Sequence, residues 1–352
     1  MTRVGVVGVD HLHVFEMIDR LVKAGAETVA HAPGPGGSPD LLGMYAGWRT
    51  GSEERAAADI IGDQSIDLVV TAAVPNRRAE IAIAAIEAGK HVVSDKPGVT
   101  TMAQLDAVRA ACVGRGGRPW TVLFTERFEN RAIAEAVRLA RAGSVGDVVH
   151  VIGAGPHTMW ADRRPDWFWH PEATGGILVD IGSHQADQFV AVTGADADEL
   201  EVVGAAVGNV ASPDHPGMQD IGSMSLLART GAGVRGDHRL DYLTAAGLGT
   251  WGDVRLTIVG TAGTIEARAN IDVAGAEGGE HLIVVDADGT RRVDVSGVAV
   301  DWAELLLADL GDGGERLMTQ QHVFTVTDLT LRAQAMATDW KRGQPVGVSS
   351  AP

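Results

Sequence analysis

Cysteine, aromatic residues and runs of positive charge are scarce in this sequence. The one cysteine, Cys112, excludes an internal disulfide framework and a cysteine-type zinc site, which is typical of a protein from a reducing compartment. The 46 acidic residues outnumber the 29 basic residues and give a formal net charge of -17. Because this charge repels phosphate backbones and no cluster of Lys or Arg offsets it, we expect no nucleic-acid partner.

Long apolar runs are also missing. No stretch is long enough to span a membrane, so we expect no membrane partner. The first residues, MTRVGVVGVD, enter a strand-like pattern at once and leave no room for a signal peptide. These observations predict a soluble, cytoplasmic protein. Apolar residues make up 45% of the chain, which is enough to fill the cores of the two domains expected for 352 residues.

The first part of the chain alternates short β-branched runs with longer helical patterns, which predicts βαβ units and a parallel sheet. A helical pattern from Asn76 to Ala88 ends at Gly89, and Thr101 with Gln104 forms a capping-box sequence for the next helix. The stretch from Pro33 to Gly37 is interpreted as a loop. The other segments of this alternation are Arg3 to Val7, His11 to Ala24, Thr28 to Ala32, Ser52 to Ile61, Asp67 to Thr71, His91 to Ser94 and Thr121 to Phe124.

After Gly143, strand-like runs follow one another with few helices between them, which predicts an antiparallel sheet. One long helical pattern, 315–342, closes the chain. We therefore predict an α/β domain with a parallel sheet over residues 1–125. Residues 126–352 are predicted to form an α+β domain with a large, mostly antiparallel sheet, with the option that helix 315–342 packs back on the first domain. The strand-like runs are Val148 to Gly153, Leu200 to Val207, Gly222 to Leu227, Val254 to Val259 and Leu282 to Val285.

The first strand leads into a turn at Gly8 and then a helix. In this arrangement the free N–H groups of the helix start can bind a dinucleotide pyrophosphate. The glycine fingerprint G-x-G-x-x-G is reduced to its first glycine, because the sequence reads Gly8-Val9-Asp10-His11-Leu12-His13. On this segment alone, a cofactor site and a merely structural turn are about equally favoured.

Two further segments carry acid/base groups. Lys96 lies in Ser94-Asp-Lys-Pro-Gly98, directly after an apolar strand and hence at the carboxyl edge of the predicted sheet, where open α/β proteins bind ligands. In GGILVDIGSH, Gly175 to His184, the four-residue spacing puts Asp180 and His184 on one helix face. A histidine can take a hydroxyl proton as hydride leaves the same carbon, and a nearby carboxylate can orient it. Each segment alone also fits a solvated lysine in a turn or a pair on a helix surface.

Together, these segments resemble the Gfo/Idh/MocA family, the relatives of glucose-fructose oxidoreductase and inositol dehydrogenase. The family's Glu-Lys-Pro is present as Asp95-Lys96-Pro97, and its Gly-Gly-x-x-x-Asp-x-Gly-x-His is complete from Gly175 to His184. The resemblance continues through Val74-Pro75-Asn76, Arg127-Phe128 and the terminal helix, and so covers essentially the whole chain.

The resemblance implies a Rossmann domain with an attached open-faced domain, a nicotinamide cofactor, and a secondary alcohol of a sugar, polyol or cyclitol as substrate. It implies that Lys96 hydrogen-bonds the reacting hydroxyl and that His184 is the general base. Asp180 would hold substrate hydroxyls or tune this pair. The peptide before Pro97 is a candidate for the cis form. Cofactor contacts are expected from Gly8, Val9, Asp10, His11, Leu12, Pro75, Asn76, Asp95 and Lys96.

The cofactor turn departs from the family pattern at Asp10 and His13, which stand in the places of the second and third glycines. The second strand ends in Ala30-His31-Ala32-Pro33, with neither an acidic residue for the ribose hydroxyls nor an arginine. The sequence therefore leaves NAD and NADP open, with NAD slightly favoured, and loss of cofactor binding also stays open.

Several residues permit both a functional and a structural interpretation. The pair His11-x-His13 has a spacing that some metal sites use, but a polar helix start or a phosphate contact explains it better, and we expect no metal. The aromatic residues that precede GGILVDIGSH could stack on a sugar ring or simply pack a loop. The candidate substrate contacts are Arg127, His157, Arg164 and Trp167.

Three functions remain open at this point. The first is reversible oxidation of a CH–OH group; the second keeps NAD bound and uses it transiently for elimination, epimerisation or glycoside cleavage. The third is a catalytically silent cofactor- or sugar-binding regulator, which the retention of Lys96, Asp180 and His184 disfavours. A large open sheet predicts a homo-oligomer, a dimer or tetramer, as is often seen in the family.

Overall fold

The computed structural model describes residues 1–34, 39–114, 120–271, 277–341 and 343. Part of the predicted loop from Pro33 to Gly37 and the last residue of the predicted helix 315–342 lie outside the described residues. The strands are β1 (Arg3–Val9), β2 (Glu27–Ala32), β3 (Glu53–Glu54), β4 (Leu68–Ala72), β5 (His91–Asp95), β6 (Trp120–Leu123), β7 (Val148–Pro156), β8 (Leu200–Gly208), β9 (Ile221–Ala228), β10 (Val234–Asp241), β11 (Arg255–Gly260), β12 (Gly263–Ala269), β13 (Glu280–Asp286), β14 (Gly289–Val293) and β15 (Thr338–Asp339). The α-helices are α1 (His13–Lys23), α2 (Pro39–Trp48), α3 (Ala57–Gly62), α4 (Arg78–Glu87), α5 (Met102–Val113), α6 (Thr125–Phe128), α7 (Arg131–Arg141), α8 (Pro171–Thr174), α9 (Ile177–Asp180), α10 (Gly182–Thr193), α11 (Trp302–Asp312) and α12 (Gln320–Met336).

The first compact unit consists of residues 1–124, 172–175 and 301–327. Its six strands are parallel and lie in the order β3-β2-β1-β4-β5-β6, so the predicted parallel sheet is confirmed. β1 and β4 are buried on both faces, which is typical of parallel strands between layers of helices. The strand order reverses between β1 and β4, and the carboxyl ends of these strands form the switch point where such sheets bind ligands.

The helices of this unit follow the sequence signals in part. α4 ends before Gly89, whose φ of 83° is a left-handed value that favours glycine. Thr101 Oγ1 accepts the Gln104 N–H at 3.2 Å and caps α5 as predicted. The Gln104 side chain instead accepts the Thr100 N–H at 2.8 Å, so the capping box is only half formed. The predicted helix from Ser52 to Ile61 is wrong in its first part, because β3 pairs there with β2.

The second compact unit contains residues 125–171, 176–300 and the described residues after 327. Its nine strands lie in the order β14-β13-β12-β11-β7-β10-β9-β8-β15. Only the pairs β10–β7 and β15–β8 among these strands are parallel, so the predicted mostly antiparallel sheet is confirmed. The sequence signals do not reveal β10, because two of its inward positions are Gly236 and His238 rather than typical strand residues.

One face of this second sheet is covered by α7 and α10. α10 is buried at nearly every position. Two glycines of the sheet make room for the buried His238 ring, since a Cβ at Gly153 would lie 2.5 Å from its Nδ1 and a Cβ at Gly236 2.8 Å from its Nε2. The other face carries polar side chains such as Ser225 and Asp237, which hydrogen-bond each other at 2.7 Å, and the exposed Ile152.

The predicted helix 315–342 is wrong at both ends. α11 ends before Gly313, whose φ is 75°, and Asp309 holds the following turn by accepting the Leu317 N–H at 3.0 Å. α12 begins only at Gln320 and ends at Met336, because Thr338 leaves the helix and pairs with β8. Among the described residues, no helix is long and apolar enough to cross a membrane.

The buried His238 makes the stability of the protein depend on pH. Burial lowers the pKa of His238 from 6.5 to about 4. Between these two values the unfolded chain binds a proton that the folded chain excludes, so the free energy of unfolding falls as the pH is lowered through this window. We expect His238→Asn to flatten this dependence by up to about 3 kcal/mol across the window, as measured by denaturant unfolding at a series of pH values.

The matched control for this prediction is Leu240→Ala, which shortens a fully buried side chain of the same strand without removing a titrating group. It should lower the free energy of unfolding at every pH and leave the dependence of this free energy on pH unchanged. If the free energy of unfolding of His238→Asn depends on pH as steeply as that of the wild type, the prediction is wrong.

Candidate active site

The cofactor turn is built on Gly8. This residue has a φ of 91°, and a Cβ at its position would lie only 2.4 Å from the Cβ of Ala73. Glycine is therefore required by both the backbone conformation and the space. α1 begins at His13, and the preceding Leu12 gives the first turn no side-chain hydrogen bond. A bare backbone and an uncapped helix start at the sheet's switch point fit a dinucleotide pyrophosphate.

Asp10 stands where the fingerprint has its second glycine, but its carboxylate is turned into the protein. The residue is 1% exposed, and its Oδ2 accepts the Val74 N–H at 3.3 Å. Its own N–H donates to Ala72 O at 3.0 Å. Asp10 therefore ties the cofactor turn to the end of β4, and the Val74 N–H offsets part of the negative charge that would oppose a pyrophosphate.

Two imidazoles meet one buried carboxylate at the end of β5. Asp95 Oδ2 lies 2.9 Å from His11 Nδ1, and Asp95 Oδ1 lies 2.9 Å from His13 Nδ1. The two rings are 4.1 Å apart and nearly perpendicular. From the sequence alone we expect no metal at His11-x-His13. The fold brings a third possible ligand group to this pair, because Asp95 comes from 82 residues beyond His13.

Burial and neighbouring charges set the protonation of this cluster. Burial alone would raise the pKa of the Asp95 carboxyl, but His13, Arg78 and His11 together hold that pKa well below its usual range. Burial lowers the pKa of His11 to about 4, although 23% of its side chain is exposed; His13 adds to this effect and Asp95 opposes it. Near neutral pH, Asp95 is therefore ionised and His11 is neutral.

Arg78, which the sequence signals did not single out, fixes the segment that carries Lys96. Its guanidinium is 1% exposed and lies 3.0 Å from Asp95 Oδ2. It also donates to the main-chain oxygens of Asp95 at 3.0 Å, Lys96 at 2.6 Å and Pro97 at 3.0 Å. The Lys96–Pro97 peptide is cis, as predicted, and Lys96 is 6% exposed. An arginine at the start of α4, whose other residues are mostly apolar, is the signal that could have revealed Arg78.

The remaining predicted cofactor residues have structural contacts of their own. Pro75 is buried at the start of the turn before α4. Asn76 Nδ2 donates to Glu172 O at 3.1 Å, and Asn76 O accepts Gln104 Nε2 at 2.8 Å. The cofactor contacts of Pro75 and Asn76 stay predictions.

In the second unit, the glycine-rich motif builds a helix start. Gly176 has a φ of 85°, and a Cβ there would lie 2.5 Å from Gln219 Oε1. α9 ends at Asp180, and the following Ile181 keeps helical dihedrals of φ -76 and ψ -37 into α10. His184 is 2% exposed and follows Asp180 by about one helical turn, as the spacing predicts.

Asp180 is bound by Tyr242, which the sequence signals did not reveal. Tyr242 Oη donates to Asp180 Oδ2 at 2.7 Å. Burial and the adjacent Asp180 raise the pKa of the Tyr242 phenol well above its usual value, so the proton stays on the phenol. The chain has only two tyrosines, and Tyr242 directly follows the alternating strand β10. That position is the signal that could have found it.

Several predicted substrate contacts gather around Tyr242. The Arg164 guanidinium lies 4.2 Å from the Phe168 ring centre and 5.6 Å from that of Tyr242. The His157 ring lies 6.2 Å from the Tyr242 ring. Trp167 is one step further away, with its ring 6.4 Å from Phe168. The structure therefore brings Arg164 and His157 close to the phenol that binds Asp180.

Arg127 also has a structural contact of its own. Its guanidinium makes two hydrogen bonds of 2.7 Å to the carboxylate of Asp187, which is fully buried. A buried carboxylate needs such a partner, so this pairing gives Arg127 a structural role. The substrate contact of Arg127 stays a prediction.

Two family models match this chain. The model described as an oxidoreductase family with an NAD-binding Rossmann fold covers residues 44–122, and the model of the GFO/IDH/MocA C-terminal domain covers residues 133–266. The chain belongs to the GFO/IDH/MocA family. It is therefore an NAD(P)-dependent oxidoreductase with a Rossmann domain, as the motifs predict. The first match begins at residue 44, so the divergent turn from Gly8 to His13 lies outside it.

Similar proteins support the same assignment. A crystal structure from Erwinia carotovora atroseptica, assigned as an oxidoreductase, is 34% identical; the match covers 97% of this chain and 100% of that one, with a TM-score of 0.91. Inositol 2-dehydrogenase 1 of Saccharopolyspora erythraea is 27% identical over 82% of this chain and 79% of its own length. Levoglucosan dehydrogenase of Pseudarthrobacter phenanthrenivorans is 29% identical over 66% of this chain and 55% of its own length.

Both tyrosines, Tyr45 and Tyr242, should resist ionisation while the protein is folded. Burial raises the pKa of each phenol above its usual value of about 10. Stability from these groups is complete below pH about 10 and is lost as the pH rises toward the folded values, because only the unfolded chain releases the protons. We expect phenolate absorbance to appear together with loss of near-ultraviolet circular dichroism in an alkaline titration.

Tyr242→Phe and Tyr45→Phe are matched variants for this titration. Each should halve the phenolate signal and make the alkaline loss of stability less steep, since each removes one of the two groups. Phenolate absorbance near pH 10 in a protein with native circular dichroism would contradict the prediction.

Proposed function

We propose that the protein interconverts a secondary alcohol and a ketone on a sugar, polyol or cyclitol, with NAD(P) as the cofactor. The observation that carries this proposal is the hydrogen bond from Tyr242 to Asp180, one turn before the buried His184. A carboxylate held in one orientation, one helical turn from an imidazole, supports proton transfer at a hydroxyl. The names of two similar proteins, an inositol 2-dehydrogenase and a levoglucosan dehydrogenase, support a polyhydroxylated substrate.

The cofactor would be held at the turn from Gly8 to Leu12, with further contacts from Pro75, Asn76, Asp95 and Lys96. When bound, NAD(P) supplies the acceptance and donation of hydride. At the end of β2, His31 is 1% exposed and its Nδ1 lies 3.0 Å from Ser52 Oγ. With no arginine among residues 30–33 to pair with a 2′-phosphate, we favour NAD over NADP.

In the proposed reaction His184 takes the hydroxyl proton during oxidation and returns it during reduction. Lys96 donates a hydrogen bond to the reacting oxygen and stabilises negative charge on it. Asp180 accepts hydrogen bonds from neighbouring substrate hydroxyls, in an orientation that Tyr242 fixes. The proposed substrate contacts are Arg127, His157, Arg164 and Trp167. Self-association through the open face of the second sheet stays a prediction.

Binding of NADH is the first expected outcome. We expect NADH to bind the purified protein more tightly than NADPH, as measured by the change in nicotinamide fluorescence on titration. Gly8→Ala should weaken this binding by at least about tenfold, because its Cβ would clash with Ala73 inside the turn. Gly25→Ala is the matched control, since Gly25 also has a left-handed φ, 101°, but has no atom within 4 Å of the added Cβ.

The two possible failures of this experiment have different meanings. Wild-type protein that binds neither nucleotide would contradict the proposed function and favour the regulator. Equal loss of binding in Gly8→Ala and Gly25→Ala would place the cofactor away from the turn.

Loss of the proposed acid/base groups should stop turnover without removing the cofactor. We expect His184→Ala and Lys96→Ala to lower kcat by about a hundredfold or more with myo-inositol, levoglucosan or whichever sugar the wild type oxidises. The affinity of His184→Ala for NADH should match that of the wild type. Lys23→Ala, at a side chain that is 70% exposed, is the control for loss of a lysine.

Reduced nicotinamide should accumulate during oxidation of the substrate. Product formation without any change in nicotinamide absorbance would support the alternative in which NAD stays bound and is used transiently. Full activity in His184→Ala would overturn its role as the acid/base residue.

A further inference from the structure

The pair His11 and His13 meets Asp95 at the carboxyl edge of the first sheet. His11 and His13 lie directly after β1 and at the start of α1, and Asp95 is the last residue of β5. β1 and β5 flank β4 in the sheet, so their carboxyl ends converge at one edge. One candidate ligand atom from each of the three residues lies within 4.8 Å of the others.

We propose that His11, His13 and Asp95 bind one divalent transition-metal ion of the zinc and cobalt class. This inference goes beyond the proposed dehydrogenase reaction and does not depend on it. The family motif has glycine in place of His13 and glutamate in place of Asp95, so the site is a property of this chain's own residues.

The distances fit a small ion. Each imidazole Nδ1 lies 2.9 Å from an Asp95 carboxylate oxygen. Tetrahedral metal–nitrogen and metal–oxygen bonds of about 2.0–2.2 Å put neighbouring ligand atoms about 3.4 Å apart. The three ligand atoms lie within 4.8 Å of one another, so binding of one ion requires the two imidazoles to turn toward the same carboxylate oxygen.

The exposure of the three side chains gives the site an inner and an outer side. Asp95 is buried, whereas 23% of the His11 side chain and 35% of the His13 side chain are exposed. Three protein ligands with an open side are typical of metal sites that keep positions for water or a bound molecule, rather than of closed structural sites.

The ligand types select the ion. Two imidazole nitrogens and one carboxylate oxygen suit zinc, cobalt, nickel or iron, whereas calcium and magnesium prefer oxygen ligands alone. Zn²⁺ and Co²⁺ are therefore the probes of choice, and Mg²⁺ serves as the ion that should not compete.

Neighbouring charges limit the affinity. Arg78 lies 3.0 Å from Asp95 Oδ2, and α1 directs the positive end of its dipole toward His13. These positive charges oppose a bound cation, and we expect micromolar rather than nanomolar binding. The alternative is a cluster held by hydrogen bonds alone, which requires a proton on each Nδ1 atom. Metal titration distinguishes the metal site from this cluster.

Cobalt titration of the untagged full chain, after chelation, tests the proposal. We expect one equivalent of Co²⁺ to give a visible d–d spectrum with micromolar affinity, Zn²⁺ to displace it, and excess Mg²⁺ to leave it unchanged. His13→Gln keeps an amide that can donate to Asp95 but removes the imidazole. It should weaken Co²⁺ binding by at least about tenfold while the circular dichroism stays native.

His170→Ala removes a half-exposed histidine from the other unit and is the matched control, with wild-type affinity expected. Absence of a cobalt spectrum, or equal affinity in His13→Gln and the wild type, would overturn the proposal and leave a hydrogen-bonded cluster. A protein that binds NADH but no metal would contradict only the metal site. A protein that binds the metal but no NADH would contradict only the proposed cofactor site.

Discussion

The buried guanidinium of Arg78 is the constraint on which the first candidate site depends. It binds the main-chain oxygens of three successive residues from Asp95 to Pro97 and pairs with the Asp95 carboxylate. Removal of one partner from such a buried pair typically costs about 3–5 kcal/mol, because the other charge is left in the protein interior. Since the same carboxylate meets His11 and His13, one ion pair fixes both the segment of Lys96 and the start of α1.

The cofactor turn shows how polar side chains can replace glycines without being directed at the ligand. A glycine fingerprint lets a pyrophosphate approach bare N–H groups. Here only Gly8 of the three glycines is present, and the side chains at the other two glycine places bond to protein: Asp10 to Val74, and His13 to Asp95. A glycine turn only leaves space for a ligand. This turn also carries charge, because the positive end of α1 lies next to the buried carboxylates of Asp10 and Asp95.

Local sequence patterns predicted the helices and strands of this protein better than they predicted its polar contacts. Apolar β-branched runs identified β1, β4 and β5, whereas β10 was hidden because Gly236 and His238 occupy inward positions. The family motifs located Lys96, Asp180 and His184 on short segments. Arg78 and Tyr242 were missed because each acts through a distant partner; Tyr242 is 62 residues from Asp180. A buried polar residue shows its role only when the fold supplies that partner.

The carboxylates of Asp95 and Asp180 lie in different electrostatic environments. Asp95 is surrounded by an arginine and two imidazoles, and these hold its pKa low in spite of burial. Asp180 is half-buried and bound by a phenol that keeps its proton, so no positive charge is held there by that contact. An anion paired with a buried guanidinium is suited to fixing the backbone around it. A carboxylate oriented by a phenol agrees with the proposed role of Asp180 toward substrate hydroxyls.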